Sequence, residues 1–211
     1  MKSTITYKVS LGKDSYCIFI GNKNLENITK YIPNYENYSK KILITDKKII
    51  EKKKRLLRTE LFNIVNYEMI VLPDGEKIKS FNYLQELIEK ILKFGVDRNS
   101  LIICFGGGVL GDLVALAASL VLRGIDFVQI PSTLLAQVDS SVGGKTGINS
   151  KYGKNLIGTF KQPKSVIISI DILKTLDKRE IISGYAEILK YSFIKDPSFF
   201  NWLKLNGKKV I

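Results

Sequence analysis

Histidine is absent from this chain of 211 residues. That removes Ser-His and Cys-His nucleophilic catalysis, and every histidine-based zinc site, from what these residues can do by themselves. Cysteine is almost absent too. Cys17 and Cys104 both sit in apolar strand-like runs and neither belongs to a C-x-x-C pair. A disulfide framework is excluded, and two reduced, buried thiols are expected. Long apolar runs are missing: the most apolar helical segment, Val109 to Leu122, is too short to span a bilayer and carries Asp112 near its start. The opening MKSTITYKVS has no apolar core of a secretory signal. These absences point to a cytoplasmic protein with no membrane partner.

What is abundant is lysine. The formal charge is +13, and 28 of the 33 basic residues are Lys. Such a charge favours anions, with nucleic acid as the extreme case. Here the lysines are scattered, and only Glu51-Lys52-Lys53-Lys54-Arg55 forms a tight run, inside an expected amphipathic helix. No basic stretch is interleaved with aromatics, so no nucleic-acid partner is expected, and a small anionic substrate is.

Strand-like and helical segments alternate along the chain. Apolar or alternating runs predict strands over Thr4–Val9, Tyr16–Ile20, Lys41–Thr45, Tyr67–Leu72, Leu101–Phe105, Phe127–Ile130 and Val166–Ile170. Helices are expected over Leu25–Tyr31, 48–62, the segment that Ser80 caps, Gly111–Leu122, Arg179–Ile194 and from Pro197 onward. Continuously apolar strand interiors imply a parallel sheet covered on both faces. The fold class is therefore α/β: a largely parallel nucleotide-binding sheet flanked by helices, followed by the start of an all-helical domain. The boundary is expected near residue 176, with 1–176 the α/β domain and 177–211 the opening of the helical one.

Gly106, Gly108 and Gly111 fit G-x-G-x-x-G directly after a strand and before a helix. Glycines there let backbone approach a pyrophosphate, and the helix N-terminus offers free N–H donors. A tight turn needing positive φ is the structural alternative. The acid that usually ends the next strand is missing, because Pro131-Ser132-Thr133 holds that place and Asp126 lies at the other end. Asp46, at the end of an earlier strand, is the better candidate for ribose hydroxyls. Further on, Gln137 to Thr146 sets Gly143-Gly144 beside Lys145 and Thr146, a composition suited to an anion. The spacing is not that of a Walker A loop. Gly153-Lys154-Asn155 adds a second cation and an amide, and Arg123 ends a helix. Glu187 and Lys190 are three apart on one helix face, with apolar neighbours in sequence, which marks a ligand contact or an ordinary ion pair.

Five strings carry a resemblance: GGGVLGD, RGIDFVQIPSTLLAQVDSSVGGKTGIN, GKNLIGTFKQP, DILKTL and GYAEILKY, with DGE-x-x-K at 74–79. Together they resemble the 3-dehydroquinate synthase family of the sugar phosphate cyclase superfamily. The resemblance is strongest from Gly106 to Tyr191. It implies a carbon-oxygen lyase that converts 3-deoxy-D-arabino-heptulosonate 7-phosphate to 3-dehydroquinate and phosphate, in the shikimate pathway of aromatic amino acid biosynthesis. It also implies NAD, a divalent metal (zinc or cobalt), a phosphorylated sugar-acid substrate and a homodimer.

Carried over by motif, the cofactor-binding residues are Asp46, Asp74, Gly75, Glu76, Lys77, Ile78, Lys79, Gly108, Val109, Leu110, Gly111, Asp112, Ser132, Thr133, Lys145, Lys154, Ile172, Leu173, Lys174 and Thr175. The family usually has Thr where Ser132 stands. Arg123, Lys145 and Asn155 are implied to hold the substrate phosphate, Asp139 and Lys190 the substrate hydroxyls, and Glu187 the metal. The family takes its other metal ligands from histidines, which this chain lacks. The expectation is thus a piece of a longer enzyme, inactive alone. Another cyclase of the superfamily and a non-catalytic NAD-binding module are the alternatives.

Overall fold

The computed structural model describes residues 4–52 and 67–210. The part of the expected Lys-rich helix beyond Lys52 lies outside them. β1 (Ile5–Val9) and β2 (Tyr16–Gly21) form an antiparallel hairpin, turned at Gly12–Asp14. β3 (Lys41–Asp46) passes directly into α1 (Lys47–Lys52). Then come β4 (Glu68–Leu72), α2 (Phe81–Lys93), β5 (Leu101–Gly106), α3 (Gly108–Leu120) and β6 (Asp126–Pro131). A small hairpin, β7 (Ile148–Ser150) and β8 (Gly153–Ile157), precedes β9 (Ser165–Ser169). Two helices follow, α4 (Lys178–Lys195) and α5 (Pro197–Val210).

Seven strands make one sheet in the order β1-β2-β9-β6-β5-β3-β4, parallel except for β1. From β3 the chain steps outward to β4, then returns to β5 on the other side of β3 and continues to β6. Strand order therefore reverses between β3 and β5, the place where open α/β sheets leave a crevice beyond their carboxyl ends. Every residue of β5 is buried. Its period-2 alternation divides them: Ile102 and Cys104 join a cluster with α2 and α3, while Leu101, Ile103 and Phe105 join the opposite one. Burying a side chain such as Phe105 stabilises the fold by about 1.5–3 kcal/mol.

Helix signals hold where periodicity and caps agree. In α2, Leu84, Leu87 and Ile91 are buried at helical spacing, and the Ser80 hydroxyl accepts from Tyr83 N at 3.5 Å. α4 starts on a capping box between Asp177 and Glu180. Elsewhere the structure departs from expectation. Leu25–Tyr31 is no α-helix; only a 3₁₀ turn at Ile28–Tyr31 forms, burying Ile28. α3 begins at Gly108, three residues before Gly111, because extended Gly107 already acts as its cap. It ends at Leu120, since Leu122 and Arg123 are both left-handed, with φ of 49° and 68°. Neither the β7–β8 hairpin nor the π-helical turn at Ala136–Ser140 was anticipated. Cys104 is buried as expected, but Cys17 is only half-buried. Among the described residues no helix is long and apolar enough to cross a membrane. α4 and α5 pack on each other yet leave Phe193, Ile194 and Leu205 at 69–81% exposure.

Candidate active site

Two cavities meet at the start of α3. The first, of about 350 Å³, fills the crevice at the strand-order reversal. The carboxyl ends of β3, β4, β5 and β6 bring Asp46, Asp74, Gly107, Gly108, Ser132 and Thr133 to it, and α1 and α4 supply Lys48 and Glu180. Free N–H groups at the start of α3 point positive potential there, as an anion of a dinucleotide requires. Gly108 comes close to the far side: a Cβ there would lie 2.6 Å from Ser140 Oγ, so that hydroxyl would have to turn away. Thus Gly108 is a wall one atom thick between this groove and its neighbour, and the turn glycines serve tight approach rather than positive φ.

The second cavity, of about 540 Å³, is lined by Asp112, Asp139, Ser140, Lys145, Thr146, Asn155 and Thr159 among others. Lys145 is held on a strand-like bridge to Phe160 and has no ion-pair partner among the described residues, so its ammonium remains available to a ligand. Asp112, one turn into α3, is ion-paired with buried Lys79 at 2.6 Å. Burial pushes its carboxyl up, with Lys79 opposing.

Of the residues that the resemblance names for the cofactor, the groove gathers Asp46, Asp74, Gly75, Ile78, Gly108, Val109, Leu110, Ser132, Thr133 and Thr175. Asp46 Oδ1 also accepts from Ile49 N at 2.9 Å, capping α1. The others fall outside the groove. Glu76 accepts from Asn149 Nδ2 at 2.8 Å and faces Lys154 at 3.8 Å. Lys79 is buried behind the turn, Gly111 packs on Gln129, and Lys77 is exposed. Ile172 belongs to the core, Leu173 is half-buried, and Lys174 pairs with Asp171 at 4.0 Å. Asp112 and Lys145 line the second cavity instead.

Of the residues named for substrate, Asp139, Lys145 and Asn155 come together in the second cavity. Arg123 does not join them: it is exposed beyond the carboxyl end of α3 and lines neither cavity. Asp126 is structural, accepting from Tyr38 OH at 3.0 Å. Glu187 and Lys190 form an ion pair on α4, and their neighbourhood is more open than the apolar sequence suggested, with Ala186 and Tyr191 exposed. Among the described residues no group of three or more His, Cys, Asp or Glu side chains is placed to hold a metal.

Sequence reasoning missed three participants. Tyr191 donates to Asp139 Oδ1 at 2.8 Å while Lys190 Nζ stands 4.7 Å from its ring centre, so it joins the two residues assigned to substrate hydroxyls. Burial, then Asp139, pushes its phenol up. Lys48 and Glu180 bridge the groove mouth at 2.7 Å. The S/T/D-x-x-E pattern at Asp177–Glu180 could have flagged Glu180; Lys48 is lost among neighbouring lysines.

Comparison with known proteins follows the same outline. A family model described as 3-dehydroquinate synthase N-terminal matches residues 69–183. The 3-dehydroquinate synthase of Rhodospirillum rubrum is 45% identical over 204 residues, which are 96% of this chain and 53% of that protein. This chain spans about half the length of the curated relatives it matches. Among solved structures, 2-epi-5-epi-valiolone synthase from Streptomyces hygroscopicus, with NAD+ and Zn2+ bound, superposes with a TM-score of 0.84 at 28% identity, covering 100% of this chain and 57% of that one. A 2-deoxy-scyllo-inosose synthase complexed with carbaglucose-6-phosphate, NAD+ and Co2+ gives 0.78 at 26% identity, covering 88% and 51%.

Proposed function

This chain belongs to the 3-dehydroquinate synthase family, and from that membership we propose that it forms the cofactor- and phosphate-binding part of an enzyme that makes 3-dehydroquinate and phosphate from 3-deoxy-D-arabino-heptulosonate 7-phosphate. The reaction is a lyase step of the shikimate pathway, in the cytoplasm and in a homodimer. The observation that carries the reading is adjacency. The dinucleotide groove and the anion pocket share the Gly108 to Asp112 turn, so a redox cofactor and a phosphorylated substrate would lie side by side.

The residues fit NAD: an open strand-end crevice, backbone N–H groups at the start of α3, and Ser132 and Thr133 in its lining. When bound, NAD supplies a hydride acceptor for a substrate hydroxyl. The protein's own groups then do the positioning. Lys145 and the Asn155 amide hold the phosphate, and Asp139, oriented by Tyr191, receives a substrate hydroxyl. The residues described do not by themselves fit a metal, because Glu187 is a single carboxylate already paired with Lys190. We assign Glu187 as one ligand of a site whose remaining ligands are not among these residues, and no step is routed through it. Accordingly, residues 1–176 are proposed as the cofactor domain and 177–211 as the beginning of a helical one, whose uncovered apolar side chains accord with further packing. This chain alone is then inactive.

Titrating the chain with NAD+ and with inorganic phosphate tests the reading. Both are expected to bind saturably, and Lys145→Ala is expected to abolish phosphate binding while NAD+ binding persists. Equal loss of both would put Lys145 in the wrong cavity, and no NAD+ binding at all would overturn the assignment of the groove.

A further inference from the structure

We propose that Lys79 is a positioning residue that fixes the Asn155 amide so that its N–H₂ group, and not its carbonyl, faces the anion pocket. The inference rests on reading that pocket as the phosphate site.

Lys79 is only 4% exposed. A lysine buried to that degree needs partners, and it has two on different elements. Its ammonium lies 2.6 Å from Asp112 Oδ2 on α3 and donates to Asn155 Oδ1 in the middle of β8. An ammonium is a donor only. The Asn155 oxygen must therefore turn toward Lys79, and the two N–H groups of Nδ2 must turn the other way. Nδ2 makes no hydrogen bond among the described residues, while Asn155 lines the pocket with Lys145.

The backbone around this contact is held just as firmly. Asn155 is left-handed, with φ of 57°. Its N–H donates to Asn149 Oδ1 at 3.0 Å, and Asn149 N in turn donates to Lys79 O at 2.9 Å. The β7–β8 hairpin is thereby pinned to the segment around Glu76 and Lys79. Meanwhile Asp112 neutralises the ammonium locally, so Lys79 acts on a pocket anion chiefly through the amide it orients. Without Lys79 the amide can rotate and offer its carbonyl, whose dipole repels an anion. Lys79 thus sets the sign of the dipole that Asn155 presents, which selects a phosphate over a neutral or cationic group.

The test is a double-mutant cycle on inorganic phosphate affinity, read by phosphorus NMR, with wild type, Lys79→Met, Asn155→Ala and the double variant. Loss of one charge-assisted hydrogen bond predicts that Lys79→Met weakens phosphate by about tenfold when Asn155 is present and by less than about twofold in the Asn155→Ala background. In amide NMR spectra, the Asn155 side-chain N–H₂ pair, identified by its loss in Asn155→Ala, shifts on phosphate addition in wild type and not in Lys79→Met. If Lys79→Met does not fold because Asp112 is left uncompensated, the same cycle is run in an Asp112→Asn background. Equal losses in both backgrounds, or an unchanged N–H₂ response, overturn the role of Lys79 and leave the pocket's assignment standing. A wild-type chain that binds no phosphate overturns the pocket's assignment and this inference with it.

Discussion

Replacing Gly184 by alanine sets two effects against each other. Gly184 lies inside α4, where alanine is worth about 0.5–1 kcal/mol in helix stability. It is also where α4 touches the segment after β6. An added Cβ would fall 2.6 Å from Leu135 N and 2.7 Å from both Cβ and Cγ of Leu134. Carbon atoms in contact sit at about 3.5–4.0 Å, so α4 or that segment must retreat by about 1 Å. The obstructing atoms include backbone, which yields less readily than a flexible side chain. Overpacking of this kind costs about 1–3 kcal/mol and outweighs the propensity gain. The net loss, roughly 0.5–2 kcal/mol, corresponds to a fall in Tm of about 2–4 °C per kcal/mol for a chain of this size. Thermal unfolding followed by far-UV circular dichroism reads the stability. NAD+ titration reads the companion effect, because Leu135 lines the groove. A Tm equal to or above wild type would refute the reasoning, since propensity would then have won and the contact would have to be soft.

Other outcomes follow from single contacts. Asp177→Ala removes a capping box and is expected to cost about 0.5–2 kcal/mol in urea unfolding; an unchanged midpoint would mean that the box contributes nothing. In a thiol titration of the folded chain, at most half-buried Cys17 reacts, while Cys104 reacts only on unfolding because burial pushes its thiol strongly up; two reactive thiols in the native state would contradict this. Lys48 is held above the ordinary lysine value, first by its hydrogen bond to Glu180, with burial opposing. A raised lysine pKa adds stability that is fully present below the ordinary value and is lost as pH rises through the raised one. The stability gap between wild type and Lys48→Met is therefore expected to close at strongly alkaline pH, and a gap independent of pH would count against the bridge.

Local rules and their limits explain what could be read in advance. β5 was evident because a strand buried on both faces must be apolar throughout. α2 was evident because Ser80 and the Leu84, Leu87, Ile91 spacing agree. The β7–β8 hairpin escaped notice because its strands are short, and its Asn and Lys residues answer to Lys79 and Glu76 rather than to any period. Long-range polar partners leave no mark on nearby sequence. The same limit governs the site. The glycine turn and Lys145 announced themselves by composition, whereas Tyr191 and Lys48 acquire meaning only from residues 52 and 132 positions away, and the capping box marks Glu180 locally without showing its bridge to Lys48. Resemblance collected the turn at 74–79 as one motif. The structure divides it between groove, hairpin and core.

Glu180 spends its two carboxylate oxygens in two directions, one toward the backbone N–H of Asp177 at 3.4 Å and one toward Lys48 at 2.7 Å. The first oxygen starts the helix and the second moors its base to α1, which makes α4 a lever with its fulcrum at the groove. Glu187 sits about 10 Å along that lever, at 1.5 Å per residue, and Lys190 and Tyr191 farther still. A tilt of 10° at the fulcrum would carry Glu187 by nearly 2 Å, about the length of a metal–oxygen bond. α4 is held at two more points, by Gly184 against Leu134 and Leu135 and by Tyr191 on Asp139, so a ligand in the groove that breaks the Lys48–Glu180 mooring would re-aim Glu187 and Lys190 only as far as those contacts yield.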